Sequence, residues 1–373
     1  MKRPGALRRK AERVLELVRK EFRQVRRDPR LFRVLLVAPV MQLLAFGYAV
    51  STDIRHTATF VVDHDHSRAS RELVEAFTAS GYFRVVGTGD RPAELVSALD
   101  RGEATVGLEI PPGYARDLDA GSAEVQILLD GTNSNLATVA RGYAERIVAS
   151  YGARLAGRAP AVDLRTRAWY NPDLRSQDYN VPAVIGAIVL LVCLLVTSLA
   201  IVREREIGTL DQLLVSPLTA GELILGKTIP FAIIGLVDLA LVSAIALFWF
   251  GVPFKGSVVV LFVGSVLFLL SALGLGLLIS SVSRTQQEAF MGAFLVYMPT
   301  MLLSGFMFPV SSMPTVFRWL TLANPLRHFL EIVRGVFLKG AGFAELDVQF
   351  AALAVMGVGI LWLAAWRFRR STA

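Results

Sequence analysis

The chain of 373 residues has one cysteine, Cys193, and few charged side chains: 19% of its residues are Asp, Glu, Lys or Arg. A single cysteine excludes any intrachain disulfide and any cysteine-based metal cluster. A soluble domain carries about 25% charged residues, so polar surface is short here for a soluble globule of this size. What is abundant is apolar: 54% of the residues are hydrophobic, the mean hydropathy is +0.51, and the apolar residues come in runs. Disorder and collagen-like repeats are excluded by the same composition. A polytopic membrane protein remains.

The net charge of +8 is local. Residues 1–30 hold twelve basic side chains against four acidic ones, and the rest of the chain is balanced. The high isoelectric point therefore reports one basic segment and gives no reason to expect a nucleic-acid partner.

A hydrocarbon core of about 30 Å takes roughly 20 apolar residues of helix. Charge-free stretches at 34–52, 179–202, 256–283, 289–317 and 348–366, with 228–254 interrupted only by Asp238, predict six spans. The basic block before the first span sets the N-terminus in the cytoplasm, and Arg367, Arg369 and Arg370 after the last agree. This orientation makes 203–227 and 284–288 cytoplasmic, and 51–180, 251–255 and 318–347 external. A cleaved signal peptide fits the first span less well, because the basic region and the apolar run are both too long. The expected fold is thus an α-helical polytopic membrane protein with six transmembrane helices and an inserted extracytoplasmic α/β domain. Its parts would be an amphipathic interfacial helix at 1–30, a first span at 31–52, the α/β domain at 53–178, and a five-helix region at 179–373.

In the first segment Ala11, Val14, Leu15, Val18, Phe22 and Val25 draw one apolar stripe along a helix. That pattern suits an anchor beside anionic lipid, or a helix that also touches a cytoplasmic partner. Asp28-Pro29 ends it. Residues 58–151 alternate strand-like runs (59–62, 82–86, 105–110, 125–130) with helical ones (67–79, 93–101, 134–151), the pattern of a small α/β domain. Within it Asp63-His64-Asp65-His66 offers metal-ligand chemistry, but neighbours in a strand point to opposite faces. A polar strand-to-helix turn with Ser67 as N-cap is the expected use, and no metal site is assigned. Trp169-Tyr170-Asn171-Pro172 and Tyr179 read as interfacial anchors.

Gly221–Thr228 matches G-x-x-x-x-G-K-[ST] letter for letter. A working phosphate loop follows a buried strand and opens a soluble helix. Here no strand pattern precedes it and a membrane run follows. Thr219 and Glu222 instead stand at capping-box spacing, with Lys227 expected at the cytoplasmic membrane boundary. Thr209 and Gln212 repeat that spacing, predicting a short helix at 210–215 stopped by Pro217.

The stretch 204–227, with Glu-Arg-Glu, Gly-Thr, Leu-Leu, Pro, Glu and Gly-Lys in order, resembles ABC type-2 transporter permeases. Three further segments are similar to the same family: 20–48 (Lys-Glu, Arg-Asp-Pro, Ala-Pro, Gly-Tyr), 170–182 (Tyr-Asn-Pro, Val-Pro) and 304–342 (Ser-Gly-Phe, Phe-Pro, Met-Pro, Asn-Pro-Leu, Arg-Gly, Lys-Gly). The resemblance implies the permease subunit of an exporter with a large external domain after the first span. It implies a separate cytoplasmic ABC ATPase that holds the ATP and Mg, a second permease copy or paralogue, and a bacterial plasma (inner) membrane. A coupling loop would contact the ATPase through Arg203, Glu204, Glu206, Gly208, Thr209, Asp211, Leu214, Pro217 and Glu222. The chain itself is then no enzyme and needs no cofactor. Lipophilic, drug-like or lipid cargo would be moved outward.

Asp238 is the ionisable residue inside a predicted span, so it is a candidate for the substrate path or for a structural hydrogen bond. Pro299 should kink the fifth span, because it removes a backbone bond. Arg327, Glu331 and Arg334, at i, i+4 and i+7, can pair along a surface or re-entrant helix at the outer mouth. Small residues at 264, 265, 271, 274 and 276 permit close helix packing. Two other classes compete: a membrane-anchored sensor or envelope-assembly scaffold using the external domain, and a proton-driven secondary transporter using Asp238. Absence of an inverted repeat lowers the second.

Overall fold

A computed structural model describes residues 6–49, 56–132, 134–155, 169–172, 175–208 and 219–371. They fall into two units, Met1–Ser51 with Ala168–Ala373, and Thr52–Arg167.

The second unit is a four-stranded sheet with helices. Its elements run β1 (Thr57–Asp63), α3 (Arg68–Ala79), β2 (Phe83–Gly89), α4 (Pro92–Asp100), β3 (Val106–Ile110), α5 (Tyr114–Asp119), β4 (Gln126–Leu129) and α6 (Ser134–Leu155). The strand order is β2-β1-β3-β4; β1 pairs parallel with β2 and β3, and β3 pairs antiparallel with β4. Parallel neighbours need crossover connections, and α3 and α4 supply them. Val61, Phe77, Leu108 and Ile110 are among the residues of its core. Gly107 lets α4 approach: a Cβ there would lie 2.4 Å from Leu95 Cδ2.

The acidic turn after β1 closes the fold. Asp63 accepts from the N–H groups of Asp65 and His66, each at 3.0 Å, and from the Ser70 hydroxyl at 2.6 Å. Asp65 accepts from Gly113 N (2.9 Å) and Ala115 N (3.1 Å), which fixes the start of α5. Ser67 caps α3 by accepting from Ser70 N. The Asp and His run is a turn, as its spacing suggested. Helix α5 was not foreseen; six residues are too few to show a period.

The other unit is helical: α1 (Ala6–Arg27), α2 (Pro29–Ala49), α7 (Ser176–Ile207), α8 (Ala220–Phe248), α9 (Val258–Val282), α10 (Gln286–Leu302), α11 (Thr315–Leu320), α12 (Pro325–Arg334) and α13 (Asp347–Ser371). Among the described residues, four helices are long and apolar enough to cross a membrane: Ser176–Ile207, Gly221–Phe248, Val258–Val282 and Asp347–Arg370. The first predicted span yields a shorter apolar helix, Leu35–Ala49. The stretch 289–317 is not one helix. Gly305 adopts φ 81°, and Pro309 and Pro314 follow, so α10 stops after 17 residues.

Helix α7 forms the centre of this unit, buried along most of its length. Small residues set the spacing of its neighbours. A Cβ on Gly276 of α9 would lie 2.7 Å from Thr197 Cβ, and one on Gly274 would lie 2.9 Å from Ile360 of α13. Helix α12 enters this core. Phe329 stacks on Phe268 of α9 with centroids 4.1 Å apart, and Gly186 of α7 leaves room for Leu330.

Candidate functional site

The charged cluster sits where α7 ends and α8 begins, and α1 completes it. Gly226 of α8 has no side chain to hold α1 off; a Cβ there would lie 2.7 Å from Leu17 Cβ. Glu21, one turn beyond Leu17, is thereby set against Lys227. The Lys227 ammonium donates to Glu21 Oε1 (3.1 Å), Glu204 Oε1 (3.3 Å) and the Ala200 carbonyl (3.1 Å). An ammonium has three protons, and all three are used. Lys20 donates to the same Glu204 oxygen at 2.8 Å. The four groups balance in charge although Lys227 is 2% exposed, Glu21 4% and Glu204 7%. Buried ion pairs persist only with such complete hydrogen bonding.

Two turns earlier on α1, Arg13 reaches Glu222 at 2.6 Å. Glu222 also forms the expected capping box with Thr219: Thr219 N donates to Glu222 Oε2 at 2.9 Å, and Glu222 N to Thr219 Oγ1 at 3.3 Å. Residues 220–228 are continuous helix, so their N–H groups cannot wrap a phosphate as a Gly-rich loop does.

At the C-terminal end of α7 successive side chains point about 100° apart, and each finds a different element. Arg203 approaches Asp28 at 3.9 Å. Glu204 binds α1 and α8. Arg205 Nη1 donates to the Ser283 carbonyl at the end of α9, at 2.8 Å. Glu206 accepts from Gln286 at the start of α10, from the backbone N–H at 2.7 Å and from the side-chain amide. Gly208 then closes the helix with φ 77°, a left-handed C-cap that glycine adopts freely. Thr209, Asp211, Leu214 and Pro217, with the second capping-box spacing, lie outside the described residues.

Lys227, expected at the cytoplasmic membrane boundary, is buried there with Glu21 and Glu204 neutralising it. Helix α1 packs on its neighbours with a face beside its apolar stripe. Leu17 and Glu21 are buried, whereas Ala11 and Leu15 are exposed and Val14, Val18, Phe22 and Val25 are half-buried. A carboxylate turned inward because its partner is there, which apolar periodicity cannot show.

The remaining candidates are separate from this cluster. Asp238 on α8 is fully buried, and neither carboxylate oxygen has a hydrogen-bond partner among the described residues. Pro299 lies inside α10, in its last turn, with its carbonyl accepting from Leu303 N at 2.9 Å. Arg327 pairs with Glu331 at 3.4 Å. Arg334 does not join them. Its guanidinium lies 3.8 Å over the Tyr179 ring and donates to Gly305 O at 3.1 Å, while Glu331 accepts from Gln349 at 2.6 Å. Of the two expected forms, surface or re-entrant, α12 is not the exposed one: most of it is buried, with Arg327, Glu331 and Arg334 half-buried. Sequence reasoning missed Arg13, Lys20, Glu21, Arg205 and Gln286. The usable signal was Lys227 itself, since a lysine opening a long apolar run demands a counter-ion.

Long apolar helices around a central α7, with charged groups gathered at one helix end, define a multi-pass membrane protein. The family model for ABC-2 family transporter proteins matches residues 31–366, and the chain belongs to that family. It is 36% identical over 345 residues to the probable multidrug ABC transporter permease YbhR of Escherichia coli K12, covering 91% of this chain and 93% of that protein. It is 34% identical over 362 residues to the probable multidrug ABC transporter permease YbhS of the same strain, covering 94% and 96%. ABC transporter G family member 20 of Dictyostelium discoideum is 23% identical over 352 residues, 91% of this chain but 48% of that protein. The chain is accordingly a membrane subunit of an ABC transporter, a transport component of a family that works with an ATPase.

Proposed function

We propose that this chain is the permease of a bacterial inner-membrane exporter, moving lipophilic, drug-like or lipid molecules outward under the drive of a separate ATPase subunit. The cargo class is supported by the names of YbhR and YbhS, both probable multidrug permeases. The reading takes six crossings, with α2 and the α10 region joining the four long helices. Basic residues before α2 and in the last turn of α13 (Arg369, Arg370) favour both termini in the cytoplasm, which leaves the α/β unit outside. Two permeases, or two paralogues, would meet two ATPases, and ATP and Mg would belong to the latter.

The observation that carries the proposal is the fastening of 204–206. A segment that receives a push must transmit it, and α7 leaves the described region tied to α1 and α8 through Glu204, to α9 through Arg205 and to α10 through Glu206. Residues 209–217 contact the ATPase in this reading. ATP-driven closure displaces that segment, and the ties convert the displacement into tilting of four helices between inward-open and outward-open states. Asp238, buried with no hydrogen-bond partner among the described residues, is the polar group that repacking would expose along the substrate path, and Pro299, inside α10, would line that path too.

Co-purification with the ATPase tests this. Leu214→Asp should abolish association. Glu206→Ala should keep association but reduce substrate-stimulated ATP hydrolysis severalfold. A permease that transports without any ATPase, or is indifferent to both changes, overturns the reading.

A further inference from the structure

One face of α7 lines a crevice of about 400 Å³ whose character changes along the helix. Leu195 and Leu199, with Phe231 of α8 and Phe290 of α10, form its apolar half. Arg203 and Glu204, with Lys20 and Gln24 of α1, form the polar half. A second cleft of about 580 Å³ adjoins it, sharing Lys20, Gln24 and Arg203 and adding Arg23, Arg27 and Asp28. The cleft therefore holds four cations against one carboxylate. Lys20 is engaged by Glu204 and Arg203 lies 3.9 Å from Asp28. Arg23 and Arg27 close on no carboxylate among the described residues, so their charge faces the cleft.

The change of character falls at a definite depth. The charge-free stretch of α7 ends at Val202, so Arg203 marks the edge of the hydrocarbon. Leu195 stands about 12 Å further in, at 1.5 Å per residue. A ligand that fills both halves needs an anionic head at the level of lipid phosphates and an apolar tail pointing into the membrane. A soluble anion leaves the apolar half empty, and a zwitterionic lipid has no net charge to answer Arg23 and Arg27. Basic pockets beside membrane helices hold anionic head groups for this reason.

We propose that crevice and cleft together seat one anionic phospholipid, with its phosphate among Arg23, Arg27 and Arg203 and an acyl chain along Leu195, Leu199, Phe231 and Phe290. This rests on the reading that α7 crosses the membrane with α1 at its cytoplasmic face. The seated lipid would brace α1 against α7 beside the segment that meets the ATPase.

The full chain, purified in neutral detergent, is titrated with phosphatidylglycerol and with phosphatidylcholine of the same acyl chains, and bound lipid is counted by native mass spectrometry. Phosphatidylglycerol should be retained in preference. The double change R23Q/R27Q should weaken it roughly 20- to 30-fold, the attraction of two cations for an anionic head. R19Q/R26Q removes the same charge from α1 outside the cleft and should change retention less than about twofold. Equal retention of both lipids, equal loss in the two double variants, or displacement by millimolar inorganic phosphate would each overturn the proposal. Retention is read without the ATPase. Its failure leaves the exporter reading standing, and failure of the Leu214→Asp test leaves the lipid result intact.

Discussion

Replacing Lys227 with methionine keeps the length and shape of the side chain and removes its charge. Glu21 then loses its ammonium, and both Glu21 and Glu204 stay below a tenth exposed. Breaking a buried pair from one side costs about 3–5 kcal/mol. Glu204 keeps Lys20 at 2.8 Å, so the low end, about 3 kcal/mol, is expected. At roughly 2–3 °C per kcal/mol for a unit of this size, the melting temperature in detergent should fall by about 6–9 °C. The double change K227M/E21M removes one charge of each sign and leaves Lys20 with Glu204, so it should recover to within about 1 kcal/mol of the parent. Thermal unfolding followed by circular dichroism measures all three proteins. If K227M melts with the parent, the cluster is not a stability element. If E21M fails to rescue K227M, the two residues are not partners. A lysine serving a nucleotide would not be rescued from position 21 at all.

Asp65 is held below the usual carboxylate range by the Ser67 hydroxyl and then by the N–H groups of Ala115 and Gly113. A lowered folded-state pKa stabilises above the unfolded value, near 4, and the contribution is lost as pH falls through the folded value. Amide exchange at residues 113–115, corrected for intrinsic rates, should therefore quicken on acidification below about pH 4, and D65N should show fast exchange at every pH. Gly186→Val places a side chain where a Cβ already lies 2.7 Å from Leu330 Cδ2. It should cost about 1–3 kcal/mol by overpacking α12 against α7, read as a lower melting temperature, and an unchanged melt would refute the close approach. Arg334→Lys keeps a charge but loses the planar stack on Tyr179 and the reach to Gly305. Its melt should drop by several degrees, whereas an outward-facing arginine would tolerate the change.

What could be read from residues alone was whatever depends on near neighbours. The capping box of Thr219 and Glu222 needs only three residues of separation, and the turn after β1 only seven from Asp63 to Ser70. Strand and helix alternation in the α/β unit is equally local. Features that failed to show are long-range. Lys227 is buried because of a carboxylate 206 positions away, and Arg334 leaves its helix neighbour Glu331 for a tyrosine 155 positions away. Charges spaced along α12 looked like a solvated face because periodicity counts charge as surface.

In the proposed reading these long-range ties are the coupling elements. An apolar helix needs no charge at its end to pack, which leaves the charges at 203–206 available for that use. Each step along this stretch turns the next side chain by about 100°, and three consecutive residues reach three separate groups of helices. Apolar packing alone would let these helices slide, since lipid and leucine are nearly equivalent partners. Hydrogen-bonded charges have fixed geometry, so a displacement of Gly208 cannot be absorbed at one contact and must be shared. The difference can be measured. A disulfide introduced between α1 and α8 at positions 17 and 226 should preserve coupling if the cluster moves as one body, and should abolish transport while sparing ATPase association if α1 must slide over α8.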